Sequence, residues 1–179
     1  MLEGSGDEWG VCVLRDRLGL DATDIRILSA VQKHGQLSKT KLAELVNLSA
    51  TPCWARLARL RAAGYIKGYH ADIVLDAVLD TTRVIVTLSL SRHRKTDFER
   101  FEAYVLSRDE IINCVSTGGG SDYVMTVVTT SMAEFQDLME TMLLADLLIE
   151  RYMTYFATRL VKAEQPNLAK LVTQARKTP

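Results

Sequence analysis

The chain has 179 residues, 47% hydrophobic and 25% charged, with 22 Lys+Arg balanced by 22 Asp+Glu, an ordinary globular composition that allows one domain or two small ones. A formal charge of zero excludes a chain that grips polyanions by bulk charge, but not one whose charges are segregated. No apolar run approaches the ~20 residues that cross a bilayer. The start MLEGSGDEWG lacks a signal-peptide pattern, and Cys12, Cys53 and Cys114 have neither disulfide nor zinc spacing, so a cytoplasmic setting is expected.

Residues 1–19 read as an extension ahead of the first regular element. From 20 to 73 the chain carries a net +4, whereas 83 to 161 carries −3, which predicts two modules with different partners. Asp21 followed by Asp24 reads as a helix N-cap with a carboxylate at the positive end of the helix. Ile25, Leu28 and Val31 then recur at helical spacing, and Gly35 can close the helix. Ser38 starts a second helix that buries Leu42, Leu45 and Val46. Asn47 and Ser49 bracket a tight turn, since Asn tolerates positive φ and Ser caps the next helix. The third helix runs from about Ala50 to Ala63, with Pro52 in its first turn and Gly64 ending it.

In that third helix Cys53, Leu57 and Leu60 share one face, while Arg56 and Arg59 share another beside Trp54, with Thr51 in the first turn. Two helices joined by a short turn, the second showing guanidinium groups outward, can enter a major groove. Arg can bond a guanine edge or hold a phosphate. Ser49, Ala50, Thr51, Trp54, Arg56 and Arg59 are therefore the candidate DNA-contacting residues. The residues alone equally describe a small helical bundle with solvated arginines. After Gly64, YIKGYHADIV predicts a short β wing, and Trp54 either touches a DNA sugar or packs under that wing.

The span LDATDIRILSAVQKHGQLSKTKLAELVNLSATPCWARLARLRAAGYIKGY resembles the winged helix-turn-helix of the Lrp/AsnC transcription regulators. The matching elements are Leu20-Asp21 with Asp24, Ile27-Leu28, Leu42-Ala43, Leu48-Ser49, Thr51-Pro52-Cys53, Arg56, Leu60 and Gly64-Tyr65-Ile66. The resemblance implies that residues 50–63 are the recognition helix. Trp54 departs from it, standing where relatives often carry a smaller or charged residue.

Beyond a linker, RVIVTLSLS (83–91) alternates as a half-buried strand, and Thr96-x-x-Glu99 reads as a capping box opening a helix that buries Phe98, Phe101 and Val105. Residues 111–117 and 122–130 are two further strands joined through Gly118-Gly119-Gly120-Ser121. Ser131-x-x-Glu134 caps a helix burying Phe135, Leu138, Met139, Met142 and Leu143, and the last strand is roughly Glu150 to Val161. The order βαββαβ is ferredoxin-like. Its sheet has an uncovered face, for which Tyr123, Met125, Met153 and Tyr155 are candidates, and such a face predicts a homodimer.

This second span is similar to the ligand-sensing domain of the same family, through Thr117-Gly118-x-x-x-Asp122-Tyr123 and Thr154-Tyr155-x-x-Thr158. The resemblance implies dimers that assemble into tetramers, octamers or hexadecamers and bind a small effector, usually an amino acid, between dimers. Backbone N–H groups of three glycines can approach a carboxylate, and Asp122 can pair with an ammonium group. Without the resemblance, Gly118–Gly120 form only a hairpin turn that Asp122 caps. The candidate effector residues are Gly118, Gly119, Gly120, Ser121, Asp122, Tyr123 and Thr154.

The expected fold is thus α+β, an N-terminal winged helix-turn-helix joined to a C-terminal ferredoxin-like βαββαβ domain. The expected segments are an extension over 1–19, the DNA-binding domain over 20–66, a wing and linker over 67–82, the sensing domain over 83–162 and a tail over 163–179. In that tail Leu168, Leu171, Val172 and Ala175 suit an amphipathic helix after Pro166. No cofactor, metal cluster or catalytic constellation is expected, His34, His70 and His93 being scattered. The expected partners are double-stranded DNA, an amino-acid-like effector and further copies of the chain. The competing readings are a stand-alone amino-acid-binding or metabolic enzyme subunit and a structural oligomer. Duplex affinity falling steeply with salt separates DNA binding from both.

Overall fold

The computed structural model describes residues 19–177, so the expected extension, apart from Gly19, lies outside the described residues. The chain divides into two compact units. Of the described residues, one comprises 19–72 together with 164–177, the other Ile73–Ala163.

The first unit is built on α1 (Ala22–His34), α2 (Lys39–Val46) and α3 (Ala50–Ala62). Asp21 accepts the Asp24 N–H at 2.8 Å and Asp24 accepts the Asp21 N–H at 3.2 Å, a reciprocal cap that satisfies two otherwise orphaned donors. Ser38 Oγ accepts the Lys41 N–H, and Asn47, at φ 56° and ψ 56°, ends α2 in the left-handed region. Ser49 stands at the N-cap of α3 in extended conformation, but its side chain makes no capping bond. The three helices close around Ile27, Leu42, Val46, Cys53, Leu57 and Leu60, each at most 3% exposed.

Two expectations change here. Residues 66–74 form no strand. Ile66 and Tyr69 instead turn back onto the helical core, with the Arg61 guanidinium over the Tyr69 ring at 5.0 Å. A lone two-stranded hairpin is marginal in water, and packing two side chains on an existing core is the more stable outcome. The tail, moreover, groups with the helical unit. Its helix α6 (Leu168–Ala175), capped by Asn167, packs Leu168 and Val172 on the same core, and Arg176 donates to the Leu20 carbonyl at 3.2 Å. Ending the chain after Ala163 is therefore expected to destabilise this unit by about 2 kcal/mol, the order for two partly buried aliphatic side chains. Urea denaturation of the truncated and full chains checks this.

The second unit runs β1 (Thr82–Leu90), α4 (Lys95–Leu106), β2 (Ile111–Ser116), β3 (Tyr123–Thr129), α5 (Met132–Leu144) and β4 (Ile149–Phe156). The sheet order is β2-β3-β1-β4 with every pair antiparallel, the ferredoxin-like arrangement. Val84, Val86 and Leu88 of β1 and Tyr123, Met125 and Val127 of β3 form one buried core with Phe101 and Val105 of α4 and with Phe135, Leu138, Met139 and Met142 of α5. Asp97, not Glu99, serves the start of α4: it accepts the Arg94 N–H and both Arg92 donors, so the helix begins before the expected box. At α5 Ser131 Oγ accepts the Glu134 N–H, while the Glu134 carboxylate takes the N–H and hydroxyl of Thr130.

Among the described residues, no helix of this unit covers the other face of the sheet. Ile85, Val115, Met153 and Tyr155 on it are 38–54% exposed, and Ile85 and Tyr155 are direct cross-strand partners. Tyr123 and Met125, expected there, are 2% and 0% exposed beneath the helices. Period-2 alternation fixes which residues share a face, not which face meets the helices. Here the Tyr123 hydroxyl, donating to Glu102 of α4 at 2.8 Å, goes with the helix side.

Candidate nucleic-acid interface and ligand loop

The turn between α2 and α3 leaves Ser49, Ala50 and Thr51 exposed at the N-terminus of α3. Free N–H groups and the positive helix end meet there. Trp54 is half-buried against the helical core, with Lys39 Nζ 4.8 Å from its ring centroid. That favours the packing role for Trp54, with the ring also holding a cation beside the helix. Lys39, Lys41, Arg61 and Lys67 are exposed.

Arg56 and Arg59 keep side-chain exposures of 36% and 57%, but both are engaged by carboxylates of α1 rather than free. Arg56 Nη1 donates to Asp21 Oδ2 at 2.5 Å and to Asp24 Oδ1 at 2.9 Å, and Arg59 Nη2 donates to Asp24 Oδ2 at 2.5 Å. Helical spacing explains this. At 3.6 residues per turn, Arg56 lies at the edge of the buried stripe formed by Cys53, Leu57 and Leu60, and the opposite ridge is Thr51, Ala55, Ala58 and Ala62, all exposed. The start of α1 offers carboxylates on the Arg56 side.

These contacts hold both carboxylates below the usual range. For Asp21 the Asp24 N–H acts first and the Arg56 guanidinium second. For Asp24, burial works to raise the value, but the hydrogen bonds from Arg59 and Arg56 outweigh it. A carboxylate with a lowered folded pKa contributes stability that is present above its unfolded value, near 4, and is lost as the pH falls through the folded one. The helical unit is therefore expected to lose stability progressively below about pH 4. Thermal unfolding across acid buffers measures this, and Asp24→Asn should flatten the dependence.

In the second unit the loop after β2 is closed by the Thr117 N–H on the Asp122 carbonyl at 2.8 Å and by the Thr117 hydroxyl on the Ser121 carbonyl at 2.5 Å. Gly118, Gly119 and Gly120 are exposed, and none has a positive φ. A Cβ on any of them would meet nothing within 4 Å. The turn itself thus does not require glycine; what glycine leaves is open backbone.

Asp122 accepts the Leu90 N–H at 2.7 Å, and both its oxygens lie 3.1 Å from Nε2 of His93. Arg151 donates from Nη2 to the Gly120 carbonyl at 2.6 Å, and from Nε to Ser89 Oγ at 3.4 Å. The loop is thus flanked by a carboxylate and a guanidinium. Sequence reading missed His93 and Arg151, which stand far from the loop in the chain. Only the cross-strand pairing of Ser89 with Arg151 brings the second one there.

Two expected members do not join this cluster. Tyr123 is buried in the core, where desolvation and then its bond to Glu102 push its hydroxyl pKa up. Thr154 lies on the helix-facing side of β4, lining a groove of about 380 Å³ with Phe135, Met139, Tyr152 and Phe156. Among the described residues no helix is long and apolar enough to cross a membrane.

Residues 20–67 match the winged helix-turn-helix DNA-binding family, and residues 83–167 match the Lrp/AsnC ligand binding domain. The chain is similar to the transcriptional regulatory protein DoeX of Halomonas elongata, 40% identical over 150 residues that span 84% of this chain and 95% of the relative. It is likewise 40% identical, over 70% of its length and 75% of the relative's, to the leucine-responsive regulatory protein of Haemophilus influenzae. Among solved structures, a Neisseria meningitidis transcriptional regulator in complex with L-Met superposes with a TM-score of 0.73 at 30% identity, covering 81% of this chain and 94% of that one. An AsnC family regulator from Agrobacterium tumefaciens gives a TM-score of 0.75 at 26% identity, covering 82% and 95%.

Proposed function

Because the chain belongs to the Lrp/AsnC family of transcription regulators, and is no enzyme, we propose that it binds operator DNA through α3 and that an amino-acid-like effector at the 117–122 loop tunes that binding. Ser49, Ala50 and Thr51 would meet the DNA backbone with the positive end of α3, flanked by Lys39 on the Trp54 ring and by Lys41, Arg61 and Lys67.

The observation that carries the effector reading is the placement of Asp122 and Arg151 at one exposed glycine loop. A zwitterion needs both charges at short range: its carboxylate would take Arg151 and the open N–H groups, and its ammonium would take Asp122. The Neisseria relative was crystallised with L-Met, an amino acid of this chemistry. The helix-free sheet face would pair two copies of the chain, and the exposed loops would meet those of another dimer, so that an effector seated between dimers stabilises one assembly over another. Such control needs only a difference in effector affinity between assemblies.

A thermal-shift screen tests this with the free amino acids and, beside them, their decarboxylated and N-acylated derivatives. The expected hits carry both a free carboxylate and a free ammonium group, and they alter operator binding in gel-shift titrations. Hits that keep full activity without either group would overturn the zwitterion reading.

A further inference from the structure

We infer that Arg56 and Arg59 are positioning residues, which lock the recognition helix onto the first turn of α1 through Asp21 and Asp24 and leave DNA contact to the opposite ridge and the flanking cations. The inference rests on the reading of α3 as the DNA-contacting helix.

Asp24 is 1% exposed, and its carboxylate takes three donors: the Asp21 N–H, Arg56 and Arg59. A buried carboxylate is tolerated only when paired and hydrogen-bonded, so the two guanidiniums are required by the fold of the unit itself. Asp21 adds a second carboxylate on Arg56 and is also the α1 cap. One network therefore satisfies the start of α1, buries a charge and ties down two successive turns of α3.

The rest of α3 is held by apolar packing, with Trp54 half-buried beside the core stripe. Its buried stripe is the three side chains Cys53, Leu57 and Leu60, and Ser49 contributes no side-chain cap. Apolar contacts of that kind fix depth better than rotation about the helix axis, because they are non-directional. Charge-assisted hydrogen bonds are directional, and Arg56 Nη1 bridging Asp21 and Asp24, with Arg59 Nη2 on Asp24, does fix rotation. The clamp thus sets which residues of α3 face the groove.

The test is operator affinity measured across a salt series for Asp24→Asn, Arg56→Lys, Arg59→Ala, the double variant Asp24→Asn/Arg59→Ala, and Thr51→Asp. Removing a negative charge at Asp24 should strengthen DNA binding if simple electrostatics ruled. The clamp instead predicts a loss of about tenfold, the size of a coupled network. The slope of log affinity against log salt should stay unchanged, and the double variant should be no worse than the worse single one. Arg56→Lys, which keeps the charge but falls one bond short of the position Nη1 occupies between the two carboxylates, should also lose affinity. If Asp24→Asn fails to fold, the milder Asp21→Asn replaces it, with loss of affinity at unchanged slope again expected. The proposal is overturned if Asp24→Asn or Asp21→Asn binds as well as the parent. It is overturned equally if Arg59→Ala lowers the salt slope by about one, the mark of a lost phosphate contact. Thr51→Asp separates the underlying premise: an acidic residue there suits a helix N-terminus but repels phosphate, so intact operator binding in that variant would remove α3 from the DNA whatever the clamp does.

Discussion

Tyr155→Asp is expected to turn the protein into a folded monomer and to weaken operator binding by about two orders of magnitude. The first half follows from the bare face of the sheet. Ile85 and Tyr155 are cross-strand partners there, Thr87 and Met153 are the next such pair, and Val115 extends the patch on β2. Ile85, Val115, Met153 and Tyr155 are 38%, 48%, 54% and 50% exposed, and Val124 of β3, the cross-strand partner of both Thr87 and Val115, joins them across the sheet. Contiguous apolar surface of this kind normally serves an interface. An aspartate at position 155 keeps its water in the monomer, so folding is preserved. In a face-to-face pair it becomes an unpaired buried charge, costing several kcal/mol.

The second half follows from linkage. A dimer presents two recognition helices to two half-sites about one helical turn apart. Occupying the first half-site gives the second an effective concentration in the millimolar range, and a monomer forfeits that. Sedimentation velocity and gel-shift titration read the two halves separately. A variant that stays dimeric with unchanged affinity would place the interface elsewhere.

The elements that could be read from the chain itself are those whose stabilising chemistry is local. Asp21 with Asp24, Ser38, Asn47 and Ser131 act within four residues of themselves, and the helices begin or end where those side chains require. The βαββαβ order is legible for the same reason, since each element has its own periodicity. What could not be read depends on partners far along the chain. The strand phase that buries Tyr123 is set with Glu102 on α4, and the arrival of Arg151 at Gly120 is set by strand register. Arg56 and Arg59 are an intermediate case. Their places on the helical wheel were available, and put Arg56 nearer the core than the groove, but the carboxylates that claim them lie over 30 residues earlier. A charge on a helix reads as solvent-facing until a specific counter-charge is known.

Arg151→Ala and Asp122→Asn are each expected to cut effector affinity by roughly 10- to 100-fold, the worth of one charged hydrogen bond, while effector-free operator binding stays within about twofold. Asn is the informative replacement at 122. Its amide oxygen can still accept the Leu90 N–H that Asp122 now takes at 2.7 Å, so the strand end keeps its shape and only the attraction for an ammonium group is lost. His93 gives the prediction a sign that general damage cannot mimic. Its Nε2 occupies both oxygens of Asp122, so an incoming ammonium group must share or displace it. His93→Ala should therefore tighten effector binding, whereas loss of an ordinary structural residue should weaken it. Calorimetric titration of the three variants with the strongest zwitterion from the thermal-shift screen measures all three affinities. If Asp122→Asn binds the effector as the parent does, or if His93→Ala binds it more weakly, the ammonium group does not sit at Asp122, and the charge pair across the glycine loop holds only the loop.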